Sequence, residues 1–170
     1  RTALSIIPDY ADAHQNLSFM YLSEGRLKEG LKEYEWRWKT GKGLSAQRLF
    51  MQPLWDGEKS LEEKTIMLWS EQGIGDTILW SSLVQHLASK AKSCVLECPE
   101  KLVPLLTRSF PEVKIKAEDK SSDLARNDFD FHVPMGSLFK HFHAKIHQKT
   151  FTNAFLAPDP HMIRFWRKKL

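Results

Sequence analysis

The sequence predicts an α/β fold: a parallel sheet with helices on both faces, preceded by an all-α helical hairpin. Three observations carry this. Apolar residues recur at three and four through the first forty positions. The stretch T-I-M-L-W-S at 65–70 is a continuous apolar run of strand length, the pattern of a strand covered on both sides. After it, strand-length and helix-length segments alternate to the end, which is the pattern of a doubly wound sheet.

In the hairpin, Ala13, Leu17, Met20 and Tyr21 mark one helix face, Gly25 punctuates, and Leu27, Leu31, Tyr34 and Trp38 mark the next. Two amphipathic helices around a tight glycine turn make an αα-hairpin. This stretch resembles the tetratricopeptide repeat family: Ala13, His14, Asn16, Leu17, Tyr21, Gly25, Leu27 and Tyr34 fall in order on its small, aromatic and turn positions. Ser18 and Gly30 depart from the preferred residues there but keep the small size of a close helix crossing. Ala3 and Arg37 stand one period of roughly 34 residues apart, and Pro8 fits the same register. The resemblance implies that residues 1–40 end a repeat array with a protein partner. His14 is a candidate peptide contact, weighed against a plain packing role.

Residues 41–63 break periodicity, with Gly41, Gly43, Pro53 and Gly57, and form the expected connector; Trp55 is expected to pin it to a domain surface. The unit from 64 to 170 then reads in order. Strand 65–70 is followed by a helix over 78–90, strand 93–98 and a helix over 99–110 with Pro99 in its first turn. Strand 113–117 follows, then a surface loop or short helical turn over 119–128, and strand 129–134. A helix starts at Met135, N-A-F-L-A-P is read as a last strand, and a final helix runs to Leu170.

Composition bounds the function. The 170 residues are 42% hydrophobic and 27% charged, within the range of ordinary folded domains. No run approaches the roughly 20 apolar residues of a membrane span, and the opening R-T-A-L-S-I-I-P has no signal-peptide core. Without an initial Met, the chain is expected to be a fragment of a longer protein. The net charge of +4 is spread out, with no basic stripe interleaved with aromatics, so nucleic acid is not an expected partner. Cys94 and Cys98 on one strand would stand some 13 Å apart, beyond disulfide reach. Two buried thiols in a reducing, cytoplasmic setting are expected.

The chemistry concentrates in E-Q-G-I-G-D-T-I-L-W, residues 71–80, where the first strand gives way to a helix. Ligands of doubly wound sheets bind outside the carboxyl ends of strands, which places Glu71–Asp76, Cys98–Pro99 and Pro134–Ser137 on the functional edge. A dinucleotide site needs G-x-G-x-x-G, and Ile78 takes the third glycine position, although Glu97 stands where a ribose-binding acid would be. Asp76 also puts negative charge where a pyrophosphate would sit. The plain alternative is Asp76 as a helix N-cap, with Gly73 and Gly75 as turn residues.

The order P-L-W-D-G, E-Q-G-I-G-D-T-I, V-L-E-C-P, F-D-F-H-V-P-M-G-S-L and F-W-R-K-K-L resembles bacterial tetratricopeptide-repeat proteins fused to a heptosyltransferase-like (family 9) glycosyltransferase domain. That resemblance implies two Rossmann-like halves across a cleft, the GT-B arrangement. This chain would hold the acceptor-side half, and the half carrying the nucleotide-sugar donor pocket would be absent. It further implies Asp76 as the general base toward the acceptor, a glycan or a protein. Gln72, Gly73, Gly75, Thr77, Gly136 and Ser137 become candidate substrate-binding residues. The fragment alone is expected to be inactive, and no cofactor or metal is implied. The rival expectation is a non-catalytic tetratricopeptide scaffold for protein–protein interaction.

Two further stretches carry weaker signals. His143 and His147, four apart, could share a helix face for a metal, but no acidic or cysteine partner lies nearby. R-F-W-R-K-K-L is expected to be a solvated helix with Trp166 packed inward.

Overall fold

A computed structural model describes residues 2–41, 47–121, 123–143 and 154–170. Gly43, His147 and Asn153 lie outside them. A short α1 (Thr2–Ile6) precedes the hairpin of α2 (Ala11–Ser23) and α3 (Leu27–Tyr34), which tightens into a 3₁₀ turn over Glu35–Lys39. Gly25 ends α2 at φ +74°, the left-handed position that glycine occupies without a Cβ penalty. Its N–H donates to the Leu22 carbonyl, and the Arg26 N–H reaches back to Tyr21, the paired bonds of a Schellman cap.

The two helices cross at Ser18 and Gly30. The Ser18 hydroxyl donates to the Gly30 carbonyl at 2.9 Å, and a Cβ on Gly30 would fall 2.7 Å from Leu22. Small residues here are therefore a steric requirement. The expected apolar face is only partly right: Ala13, Leu17 and Tyr21 are half-buried, but Met20 is exposed and Gln15 and Ser18 are the buried residues of α2. His14 stacks on Trp36 at 3.8 Å, and its ring nitrogens contact Glu33 and the Pro8 carbonyl. That is a packing role.

Four parallel strands form the sheet in the order β3-β2-β1-β4: β1 (Thr65–Trp69), β2 (Ser93–Cys98), β3 (Lys114–Ala117) and β4 (Phe131–Pro134). Residues of β1 alternate between two cores. Ile66 and Leu68 join Cys94, Leu96, Cys98 and Val133 on one face, while Met67 and Trp69 join Val95 and Phe129 on the other. This double burial accounts for the unbroken apolar run.

On the first face pack α4 (Ile74–Ser81), α5 (Val84–Ala88), α6 (Val103–Ser109) and α7 (Leu138–Phe142). The expected single helix over 78–90 is two, broken at Ser82 and Leu83. The Ser81 and Ser82 hydroxyls donate to the carbonyls of Ile78 and Leu79, competing with the helical ladder.

The expectation of helices on both faces is corrected on the second face. There Trp38 and Phe50 cover the sheet, joined by residues 123–128 with their 3₁₀ turn at Asp123–Ala125. Arg48 binds Asp123 and reaches Glu97 at 2.5 Å; Arg126 reaches Glu97 at 2.5 Å and Asp128 at 2.6 Å. The loop makes the return from β3 across to β4 and is held down by ion pairs in place of a helix.

The connector is pinned as expected. The Trp55 N–H donates to His132 and the His132 N–H to Pro53, so Leu54 forms a bridge beside β4. The indole donates to the Lys59 carbonyl around a turn with Gly57 at φ +88°. Residues 154–158 are not a strand; the Ala157 N–H is taken by the Ser109 hydroxyl. In α8 (Pro160–Arg167), capped by Asp159, Trp166 is not packed inward but stands exposed against Phe165. No helix among the described residues is long and apolar enough to cross a membrane.

Candidate functional site

With the order β3-β2-β1-β4, the strands run parallel but the direction in which they are added to the sheet reverses between β1 and β4, and a crevice opens outside their carboxyl ends. The segment 70–76 leaves β1 there, and the 3₁₀ turn Met135–Ser137 leaves β4 beside it. The site predicted from E-Q-G-I-G-D thus lies at the topological switch point.

The crevice is filled from the hairpin side. Arg37 projects into it from the end of the second hairpin helix and donates to Glu71 at 2.8 Å and to the Ser137 hydroxyl at 2.9 Å. Its other terminal nitrogen donates to Glu35 at 2.7 Å and to the Tyr34 carbonyl at 3.2 Å. The guanidinium carbon lies 4.4 Å from the ring centres of both Tyr34 and Trp38. Among the described residues its Nε has no partner. The Glu71 carboxyl also accepts from the Gly136 N–H at 3.4 Å. Burial pushes Glu71 up to about 7, against the opposing pull of Arg37.

This network decides the fate of several candidates. Ser137 is buried, its hydroxyl held between Arg37 and Glu35. Gly136 is buried, and a Cβ there would lie 2.5 Å from Glu71 and 3.1 Å from Trp80. Thr77 is fully buried with its hydroxyl donating to the Gly73 carbonyl, so it does not present a group to the crevice. The Gln72 amide donates to the Tyr34 hydroxyl at 2.7 Å, and burial raises that phenol to about 12, keeping it a neutral donor at neutral pH. Gly73 and Gly75 are exposed.

Asp76 is not the N-cap. Gly73 takes that place in extended conformation, and Asp76 sits in the first turn of α4, half-buried. Among the described residues no hydrogen bond reaches its carboxylate. It opens onto a cleft of about 310 Å³ that the hairpin and the sheet unit build together. Helix α2 contributes Phe19 and Leu22, and α3 contributes Leu27, Leu31 and Tyr34; the opposite wall is Leu79, Trp80 and Phe139. The walls are apolar, and the carboxylate stands against them.

Glu97 and His143 are engaged elsewhere. Glu97, where a ribose-binding acid would stand, is 1% exposed and clasped by Arg48 and Arg126. His143 contacts the Lys140 carbonyl, and no group of three or more His, Cys, Asp or Glu among the described residues is placed to hold a metal. Arg37 and Glu71 escaped the sequence reading as a pair. Their signals were an arginine between tryptophans in E-W-R-W and an acid opening E-Q-G-I-G-D, and no local spacing links positions so far apart.

No family model matches the chain, and no solved structure matches it. The chain is similar to Protein FlbA of Caulobacter vibrioides, with 27% identity over 165 residues. The match takes in 88% of this chain and 27% of FlbA, so the chain spans about a quarter of that relative's length.

Proposed function

We propose that this chain is the acceptor-side half of a sugar-nucleotide-dependent glycosyltransferase of the heptosyltransferase-like kind. In this reading the hairpin is the end of a tetratricopeptide array that engages a protein partner. The observation that carries it is Asp76: an uncommitted carboxylate, at the carboxyl edge of a parallel sheet, facing a cleft. Asp76 takes the proton of an acceptor hydroxyl as that oxygen bonds to the anomeric carbon. The bond from that carbon to the nucleoside diphosphate breaks, and its electron pair leaves with the diphosphate. The nucleotide sugar is held by a second Rossmann-like half outside this chain, and the reaction belongs to the cytoplasm. The test is transfer from a panel of nucleotide sugars by the full-length protein, with Asp76→Asn beside the wild type; equal rates remove Asp76 from the reaction.

A second reading rests on a different observation. Arg37, Glu35, Glu71 and Ser137 bind one another in the switch-point crevice and occupy it from the hairpin side. A scaffold in which the α/β unit is a platform for the repeats accounts for that filling. Absence of both turnover and sugar-nucleotide binding in the full-length protein would select it.

A further inference from the structure

The walls of the Asp76 cleft define what it can take. Its polar groups are few: the Asp76 carboxylate and the Gln72 carbonyl oxygen accept, and the Tyr34 hydroxyl and Gln72 amide, already bonded to each other, supply the donors. Among the described residues lining it there is no Lys, Arg or His. A phosphate, whether on a nucleotide or a lipid carrier, would therefore meet a carboxylate and no cation. A free saccharide would bring many hydroxyls against leucine and phenylalanine side chains that cannot bond them. At the rim Phe19 is 51% and Leu79 is 59% exposed, an apolar margin open to a ligand.

A polypeptide segment meets all of these conditions. It brings apolar side chains for the margin, main-chain N–H donors for the Gln72 oxygen, and a neutral hydroxyl donor for the carboxylate. The volume of about 310 Å³ suits a few side chains. We infer that the cleft between the hairpin and α4 docks a segment of a partner protein in which a serine or threonine, flanked by apolar residues, sets its hydroxyl against Asp76. This deepens, and its acceptor role rests on, the transferase reading. The Ser or Thr oxygen bonds to the anomeric carbon of the nucleotide sugar, its proton passes to Asp76, and the nucleoside diphosphate departs with the bonding pair.

The experiment measures fluorescence anisotropy of labelled nonapeptides with a central serine, flanked either by Leu and Phe or by Glu and Asp. Wild type is compared with Phe19→Ser and Leu79→Ser, two half-exposed positions whose truncation leaves the core intact, with folding checked by circular dichroism. The expected result is at least tenfold tighter binding of the apolar-flanked peptides, and a loss of fivefold or more in each variant. Equal binding of both peptide classes, or none at millimolar concentration, overturns the inference. The same peptides and free monosaccharides are then offered to the full-length protein with nucleotide sugars. Peptide binding without any transfer sinks the transferase reading and keeps the docking surface. Transfer to free saccharides with no peptide binding keeps that reading and overturns the docking surface.

Discussion

Arg37 donates to Glu71 at 2.8 Å across the boundary between the helical hairpin and the sheet, and both side chains are wholly buried. Removing one member of a buried pair strands the other, at a typical cost of about 3–5 kcal/mol, whereas replacing both by neutral groups is often nearly neutral. Arg37→Met is therefore expected to lose about 3–5 kcal/mol in urea unfolding. Arg37→Met with Glu71→Gln should recover most of it. A single-variant loss below about 1 kcal/mol would show that the hairpin docks without the pair.

Gly136 and Gly75 make opposite predictions. A Cβ on Gly136 meets Glu71 at 2.5 Å and Trp80 at 3.1 Å, so Gly136→Ala should cost about 1–3 kcal/mol by overpacking. Nothing lies within 4 Å of a Cβ on Gly75, inside α4, so Gly75→Ala should be neutral or slightly stabilising through helix propensity. Thermal unfolding of the two variants side by side checks the pair.

Two buried groups drive stability in opposite directions with pH. Burial lowers His132 from 6.5 to about 4, so the unfolded chain binds its proton first. This contribution is whole above pH 6.5 and is lost as pH falls toward 4. Glu71 is raised from 4.5 to about 7, so the folded chain holds its proton longer, and this contribution is present below pH 4.5 and fades as pH rises to 7. His132→Gln should therefore flatten the acid limb by about 2–3 kcal/mol between pH 6.5 and 4. Glu71→Gln should remove the decline between pH 4.5 and 7. Unfolding free energies at five pH values would expose a wrong sign in either.

Cys94 and Cys98 are 2% and 0% exposed, and burial raises their thiols to about 12 and about 11. The reactive thiolate is thus scarce and shielded. A disulfide reagent at pH 8 should modify neither in the folded chain and both in 6 M guanidinium (on the order of a full denaturing dose). Prompt reaction of the native protein would show that the sheet opens readily at β2.

The strands were legible because burial on one or two faces writes itself into a short apolar run, as at Ile66–Trp69 and Cys94–Cys98. Gly25 and Trp55 were legible because a left-handed turn and a pinned linker have local signals. The division of 78–90 into two helices turned on serine hydroxyls bonding their own helix, which spacing does not reveal. The second-face cover was missed because ion pairs from Arg48 and Arg126 replace a helix, and those partners lie far apart in the chain. At the site, the place of Asp76 on the carboxyl edge followed from the strand before it. The commitment of Ser137 and Gly136 to Arg37 and Glu71 did not, because it depends on how the hairpin folds back.

In the proposed transferase function, Asp76 serves as a base from the wall of that cleft. The most direct measurement is sugar transfer from nucleotide-sugar donors by the full-length protein, wild type against Asp76→Asn, at matched folding by circular dichroism. The expected result is a loss of 10²-fold or more in kcat with donor binding retained, the range of general base catalysis. Transfer undiminished by the substitution would contradict it.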